Sequence, residues 1–428
     1  MQSRCVQHFP VEQDLALLKQ QLLLWCDGFQ HSCFLDSHHY SNSGEEPLCL
    51  AAAGASRVFS SENDPEKFWA ATEECRDWLF GHISYHALHE IHGLKLPPLT
   101  EGDFPASFLF CPETVFLLTQ QQLTISTLAP SAEEIWNRIQ SMDTTPLQQP
   151  LPEIQFHARM EPAIYLKKVE QLLQHIQRGD CYEINFCQEF FASPVSIPAL
   201  TTYIHLMTLS PNPFSCFYKN EGRYVLCASP ERFLQKKGAR LCSQPIKGTI
   251  RRSPLHPAED EALKENLRSS TKNQSENIMV VDLVRNDLSR ICKEGSVRVS
   301  ELLGLYTFPQ VHQLISTVEG ELLSGTTLFE ILQATFPMGS MTGAPKKRVL
   351  ELIEEYEPVP RGIYSGSIGY ITPEKDFDWN VVIRSLVYLS EKKYLSYQVG
   401  GGITANSDPQ QEWEECLVKA KAMRSLWE

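Results

Sequence analysis

Residues 161–193 read EPAIYLKKVEQLLQHIQRGDCYEINFCQEFFAS, and this stretch sets the fold class. After Glu161 the apolar side chains of Ile164, Val169, Leu172, Leu173 and Ile176 fall near helical spacing, and Gly179 ends the run. Cys181 to Ser193 then reads as a strand. Farther on, the pattern predicts a polar helix from about Ala258 to Ile291, glycine-rich strands near 362–371 and 396–404, and a last helix from about Pro409 to Leu426. Helices and strands in irregular order, with hairpin-like spacing, predict an α+β fold rather than repeating βαβ units.

Upstream, the clearest linker is SMDTTPLQQPLP, Ser141 to Pro152, whose three prolines suit neither a helix nor a central strand. It separates an N-terminal region, residues 1–145, from a motif-dense region, residues 153–428. In the first, Leu48–Ala53 and Val115–Leu118 read as strands and Pro65–Leu79 as a helix. No internal repeat or low-complexity tract is present.

The 428 residues allow two or three domains at ~150 residues each. Their 42% hydrophobic content excludes a disordered chain, which lacks the apolar surface to offset ordering entropy. Lysine and arginine number 38 against 52 acidic residues, leaving −14. Such a chain is a poor nucleic-acid binder, because phosphates need a basic stripe. A small anionic substrate would need a local positive or backbone-donor pocket inside the acidic shell. No apolar run approaches ~18 residues, so no membrane span is expected. The opening, Met1 to Val6, leads into polar sequence with no apolar signal core. The thirteen cysteines, odd in number and without a C-x-x-C pair, predict reduced core thiols in a cytoplasmic protein.

Several motifs carry candidate chemistry. Lys247 lies in PIKGT between an apolar residue and a glycine. A lysine at its ordinary pKa is only about 0.04% neutral at pH 7, so a nucleophilic role needs burial or a neighbouring cation. Spacing alone favours a lysine snorkelling at a turn. Glu231, in ASPERF, follows the apolar run YVLCAS. A carboxyl at a strand end in an apolar cleft serves as a general acid once its pKa is raised; otherwise it pairs with a surface cation. Glu276 lies in NQSENIMVVDLVRND, and Glu412 and Glu415 share a face of the last helix. Carboxylates converging from two helices, with no nearby His or Cys ligand, suit magnesium; left apart, they are solvated helix faces. Asp282, Arg285 and Asp287 read as a structural ion-pair set.

Two glycine-rich segments could hold anionic groups. GSMTGAPK, Gly339 to Lys346, opens an amphipathic helix, and Gly400-Gly401-Gly402 follows a strand. Neither has P-loop or dinucleotide spacing, and both are also readable as tight turns. His82, His86, His89 and His92 have spacings that invite a zinc reading on a helix. That reading is rejected, because Gly93 stands where H-E-x-x-H needs its second histidine and no further ligand stands nearby.

Across about residues 155–428 the motifs occur in an order that resembles the chorismate-utilising enzymes, and within them component I of the aminodeoxychorismate (para-aminobenzoate) synthases. They include GDCYEINFCQ, ASPERF, PIKGT, SENIMVVDLVRNDL, FPQVHQLISTVEG, FPMGSMTGAPKKRVLELI, GIYSGSIGY, VVIRSL, GGGITANS and EWEECLVKA. The N-terminal region matches more weakly, through FLDS (34–37) and WLFGHISY (78–85).

The resemblance implies two large antiparallel sheets packed as a sandwich, flanked by helices, with the N-terminal region built into it and the site in a cleft at one end. It implies chorismate as substrate and magnesium as cofactor, with Glu276 and Glu415 as metal ligands and Glu412 close by. His312, Ser340, Tyr364, Arg384, Gly400 and Gly402, with Thr342 and Gly401 beside them, fall where relatives contact substrate. Lys346 adds positive charge there. Anthranilate synthases, in contrast, carry alanine at Lys247. In the aminodeoxychorismate branch this lysine is thought to attack C2 of chorismate while the C4 hydroxyl leaves with help from the acid at Glu231. Ammonia then attacks C4 and expels the lysine. Glu183 departs from the branch, which usually has glutamine there, whereas isochorismate and salicylate synthases use a lysine base. No glutaminase segment is legible, so the resemblance implies ammonia from a separate glutamine amidotransferase subunit.

Overall fold

The computed structural model describes residues 4–38, 40, 47–62, 64–99 and 102–427. Met1 to Ser3, the first half of the opening read above, lie outside them. Among the described residues, twenty strands join by antiparallel ladders into one network, with eleven α-helices around it. No helix is long and apolar enough to cross a membrane. All thirteen cysteines are free thiols.

The network has two limbs that part at the strand Ser107–Leu118. Along one edge it pairs with Cys49–Ser60; along the other, its start pairs with Leu79–Ile83 and its end with Gln122–Thr127. The first limb continues from Cys49–Ser60 through His31–Asp36, Phe214–Asn220, Arg223–Ser229 and Ser385–Leu389 to Tyr394–Thr404 and Glu183–Ala192. The second runs from Leu79–Ile83 through Ser367–Ile371, Phe377–Asn380, Arg232–Lys237 and Arg240–Gln244 to Val311–Glu321, which also holds Ile246–Arg251 and Arg298–Thr307. A core including Leu50, Phe80, Phe108, Tyr218, Val225 and Ile368 draws on strands of both limbs. These two limbs are the expected sandwich. Strands from residues 5–127 are interleaved with strands from residues 183–404, so burial of each limb depends on both regions.

The helix expected after Glu161 spans Pro162–Arg178 and ends at Gly179 in the left-handed conformation, φ 85°. The strand after it spans Glu183–Ala192. The helix expected over Pro65–Leu79 stops at Glu74. Arg4 holds Asp77 through two hydrogen bonds, and Leu79 enters the ladder opposite Ile371, so the chain straightens there. The expected long helix from Ala258 is two helices, Pro257–Ser269 and Thr271–Ser289. Ser270 breaks it: its backbone is extended and its side chain accepts from the Asn273 N–H, a serine N-cap inside a polar run. The Ser141–Pro152 linker carries a single 3₁₀ turn, Thr145–Gln148, pinned by buried Leu147.

Candidate active site

A cleft of about 280 Å³ opens between the strands Ile246–Arg251 and Tyr394–Thr404 and the helices Thr271–Ser289 and Pro409–Arg424. Lys247, Glu231, Ser340, Tyr364 and Arg384 line it. Glu276, Glu415, Gly400 and Gly402 complete the sequence-derived residues it brings together. Lys272, Lys419 and Arg251 also line it, which gives an acidic chain a local concentration of cations.

Lys247 is not at a solvated turn: its side chain is 10% exposed and points inward, where Nζ donates to Glu183 Oε1 at 2.5 Å. Burial by itself depresses the ammonium. The negative charges of Glu183, Glu276 and Glu231 outweigh burial and hold the amine protonated above the ordinary lysine range. The backbone is shaped around this pair. Gly248 has φ +93° with Asn273 close by, and Asn277 Nδ2 donates to the Lys247 carbonyl. A Cβ at Gly402 would stand 2.7 Å from Glu183 Oε1 and 2.9 Å from Lys247 Nζ. The sequence suggested that the glycine triplet brings backbone donors to a ligand. At Gly402 the missing side chain instead makes room for a protein ion pair.

Glu231 is buried, and that burial pushes its carboxyl up to about 7, with the Ser340 hydroxyl and the Lys247 charge opposing. Ser340 Oγ donates to Glu231 Oε1 at 2.7 Å. A carboxyl poised there holds a proton at neutral pH and can release it, as a general acid must. Arg384, its backbone at φ 50°, lies near; burial lowers it to about 10 despite the Glu231 charge.

Glu276 Oε1 and Glu412 Oε2 are buried carboxylate oxygens without a hydrogen-bond partner. Lys272 Nζ stands between the two carboxylates, 3.9 Å from Glu276 and 3.3 Å from Glu412. Burial raises Glu276, whereas the Lys419 ammonium, 2.7 Å away, holds Glu415 down at about 2. Among the described residues no three His, Cys, Asp or Glu side chains close on one point. The unpartnered Glu276 oxygen, in a cleft that Glu415 also lines, is the kind of donor a hard cation such as magnesium takes when it draws its other ligands from water or substrate.

Five sequence-derived residues lie outside the cleft lining: His312, Lys346, Thr342, Glu412 and Gly401. His312 is fully buried between Thr307 and Asp260, because neighbouring Val311 and Gln313 take the cleft-facing positions of the alternating strand. Lys346 turns to Asp287 at 2.7 Å and to the Thr335 carbonyl. This also splits the expected ion-pair set, of which only Arg285 and Asp282 pair. Thr342 is buried, donating to the Met338 carbonyl. Glu412 bonds Ser407 beneath Gly401, where a Cβ would come within 2.8 Å of its Oε2. The histidine series does not share one helix: His82 sits in the strand Leu79–Ile83, bonded to Tyr218, while His89 and His92 sit in the helix Leu88–His92.

Sequence reasoning missed Asn185, which lines the cleft and donates to the Ser340 carbonyl at 3.1 Å. It missed Lys272 and Lys419 as well; the latter donates to the Gly400 carbonyl at 2.9 Å. The available signal was position: Asn185 lies two residues after Glu183 in a strand, hence on the same face.

The profile of the chorismate binding enzymes matches residues 32–425, nearly the whole chain. The chain belongs to that family. Over 261 residues it is 41% identical to a probable aminodeoxychorismate synthase, chloroplastic, of Oryza sativa, covering 60% of this chain and 29% of that one. Over 330 residues it is 34% identical to aminodeoxychorismate synthase component 1 of Escherichia coli, covering 76% of this chain and 72% of that one. This chorismate binding enzyme thus spans less than a third of the rice protein but most of the bacterial one. Among solved structures, anthranilate synthase component I from Streptococcus pneumoniae superposes with a TM-score of 0.77 at 25% identity, over 89% of this chain and 92% of that chain.

Proposed function

We propose that this chorismate binding enzyme is the synthase component of an aminodeoxychorismate synthase, converting chorismate and ammonia to 4-amino-4-deoxychorismate for para-aminobenzoate and folate synthesis. The observation that carries this reading is one cleft holding a buried lysine, Lys247, and a buried carboxyl, Glu231, that keeps its proton near neutral pH. A lysine that bonds C2 and an acid that protonates the departing C4 hydroxyl are what amination at C4 by a double displacement requires. Arg384 and Lys272 supply charge for the two substrate carboxylates. Magnesium would be held by Glu276 and Glu415 together with a substrate carboxylate, Glu412 lying behind them, and when bound it neutralises charge on the ring acid. Ammonia comes from a separate glutamine amidotransferase, in keeping with the component 1 name of the bacterial relative. Thirteen free thiols suit a reducing cytoplasm.

The test is product analysis. Purified protein given chorismate, magnesium and ammonium forms 4-amino-4-deoxychorismate, read by chromatography with mass detection. Anthranilate as the product would make the chain an anthranilate synthase component I. Calorimetric binding of chorismate without turnover, even with a glutaminase supplied, would make it a non-catalytic chorismate-binding subunit.

A further inference from the structure

The pairing of Lys247 with Glu183 poses a chemical difficulty. A nucleophilic amine needs a free lone pair, yet this amine is stored as an ammonium ion among carboxylates. Glu231 faces it from the turn after Arg223–Ser229, Glu276 from the helix Thr271–Ser289, and Glu415 with the opposing cation Lys419 from the helix Pro409–Arg424. Among the described residues, only Glu183 stands within ion-pair distance of Nζ. Its side chain is 1% exposed, and its backbone is clamped between Thr404 and Ala344 in two ladders. Its second oxygen, Oε2, is buried with no hydrogen-bond partner. Glu183 lies outside the cleft lining, whereas its partner Lys247 lines it.

We propose that Glu183 is the positioning residue that aims Lys247 at the substrate and takes its proton, so that the amine becomes nucleophilic without releasing a proton to solvent. This rests on the aminodeoxychorismate synthase reading. An Nζ–H bond breaks and an O–H bond forms on Glu183 Oε1 across the 2.5 Å contact. The freed lone pair bonds C2, the ring electrons shift, the C4–O bond breaks, and the hydroxyl leaves as water with the proton of Glu231. Ammonia then bonds C4 while the C2–Nζ pair returns to lysine. The new ammonium gives one proton to the Glu231 carboxylate, and Glu183 returns its own to Lys247. The sum is chorismate plus ammonia to product plus water, with all three side chains restored.

The proposal has a signature that a merely structural glutamate lacks. The ammonium–carboxylate pair and the amine–carboxylic acid pair hold the same number of protons, so their ratio does not change with pH. In the wild type, kcat/KM for chorismate, read at a fixed concentration of neutral ammonia, is then flat from about pH 6 to 7 and falls above that as Glu231 ionises. In Glu183→Gln the amine forms only by losing its proton to water, so the ratio of variant to wild-type kcat/KM rises about tenfold per pH unit between about pH 6 and 9. Glu183→Asp, which restores a proton acceptor, gives a pH-independent ratio. Product analysis and denaturation midpoints accompany each profile.

A flat Glu183→Gln ratio with unchanged product overturns the proposal while leaving the aminodeoxychorismate reading intact. Failure of the wild type to form 4-amino-4-deoxychorismate sinks that reading instead. Should Glu183→Gln not fold, the wild-type profile decides: a tenfold-per-unit rise below about pH 7 means that the proton goes to solvent and refutes the role given to Glu183.

Discussion

Gly402→Ala would separate the stability of this site from its chemistry. The added methyl would meet Glu183 Oε1 at 2.7 Å and Lys247 Nζ at 2.9 Å. Ordinary carbon contacts begin near 3.5 Å, so each atom must retreat by roughly half an ångström or more. Both are the ends of flexible side chains, which keeps the loss of folding stability within the ~1–3 kcal/mol of overpacking. The ion pair is less tolerant. Stretching it from 2.5 Å to about 3.5 Å at an effective dielectric of about 20 forfeits roughly 2 kcal/mol of Coulomb attraction. Displacing a nucleophile on this scale lowers kcat by up to about 100-fold. Equilibrium unfolding in urea beside steady-state formation of 4-amino-4-deoxychorismate reads both quantities. Near-native folding with a large fall in kcat is expected. Native kcat in a folded Gly402→Ala protein would refute the claim that the close approach of this strand sets the lysine.

Lys247→Ala should lower aminodeoxychorismate formation by at least 100-fold and divert residual turnover toward anthranilate, since ammonia could then attack C2; an unchanged rate and product would remove the covalent step. Glu231 has its pKa raised on folding, so the folded state holds a proton that the unfolded chain releases, and its contribution to stability falls as pH rises from about 4.5 toward 7. Glu231→Gln should therefore slow turnover yet gain on the order of 1–3 kcal/mol of stability at pH 8, a gain that vanishes near pH 4; urea midpoints at both pH values check it. Glu276→Ala and Glu415→Ala should each raise the magnesium concentration for half-maximal rate by tenfold or more, and unaltered metal dependence would contradict their assignment as ligands.

The motifs legible in the chain were those whose chemistry depends on residue type at fixed local spacing. The helix before Gly179, the strand after it and the carboxylate pair on the last helix could be placed from periodicity, because side-chain direction within one element follows from 3.6- and 2-residue repeats. The break at Ser270 was written in the sequence but masked by polar residues on both sides, since a serine inside such a run does not announce itself as a cap. His312 and Lys346 carried the right residue types, yet their partners Asp260 and Asp287 lie 52 and 59 positions away.

By itself the sequence determined the α+β class, because that is a property of local pattern; Lys247 and Glu231 stood out only through the order of motifs that resembles the family, since their local spacing read equally as a turn lysine and a surface-paired acid. Tertiary structure alone decided the ionisation of those groups. Lys247 and Glu183 are 64 residues apart on strands that share no ladder, and only the folded chain, with no side chain at Gly402, brings their charges to 2.5 Å in a buried site. Protonation depends on distance and burial through the Coulomb and solvation energies, and neither is a property of one stretch of chain.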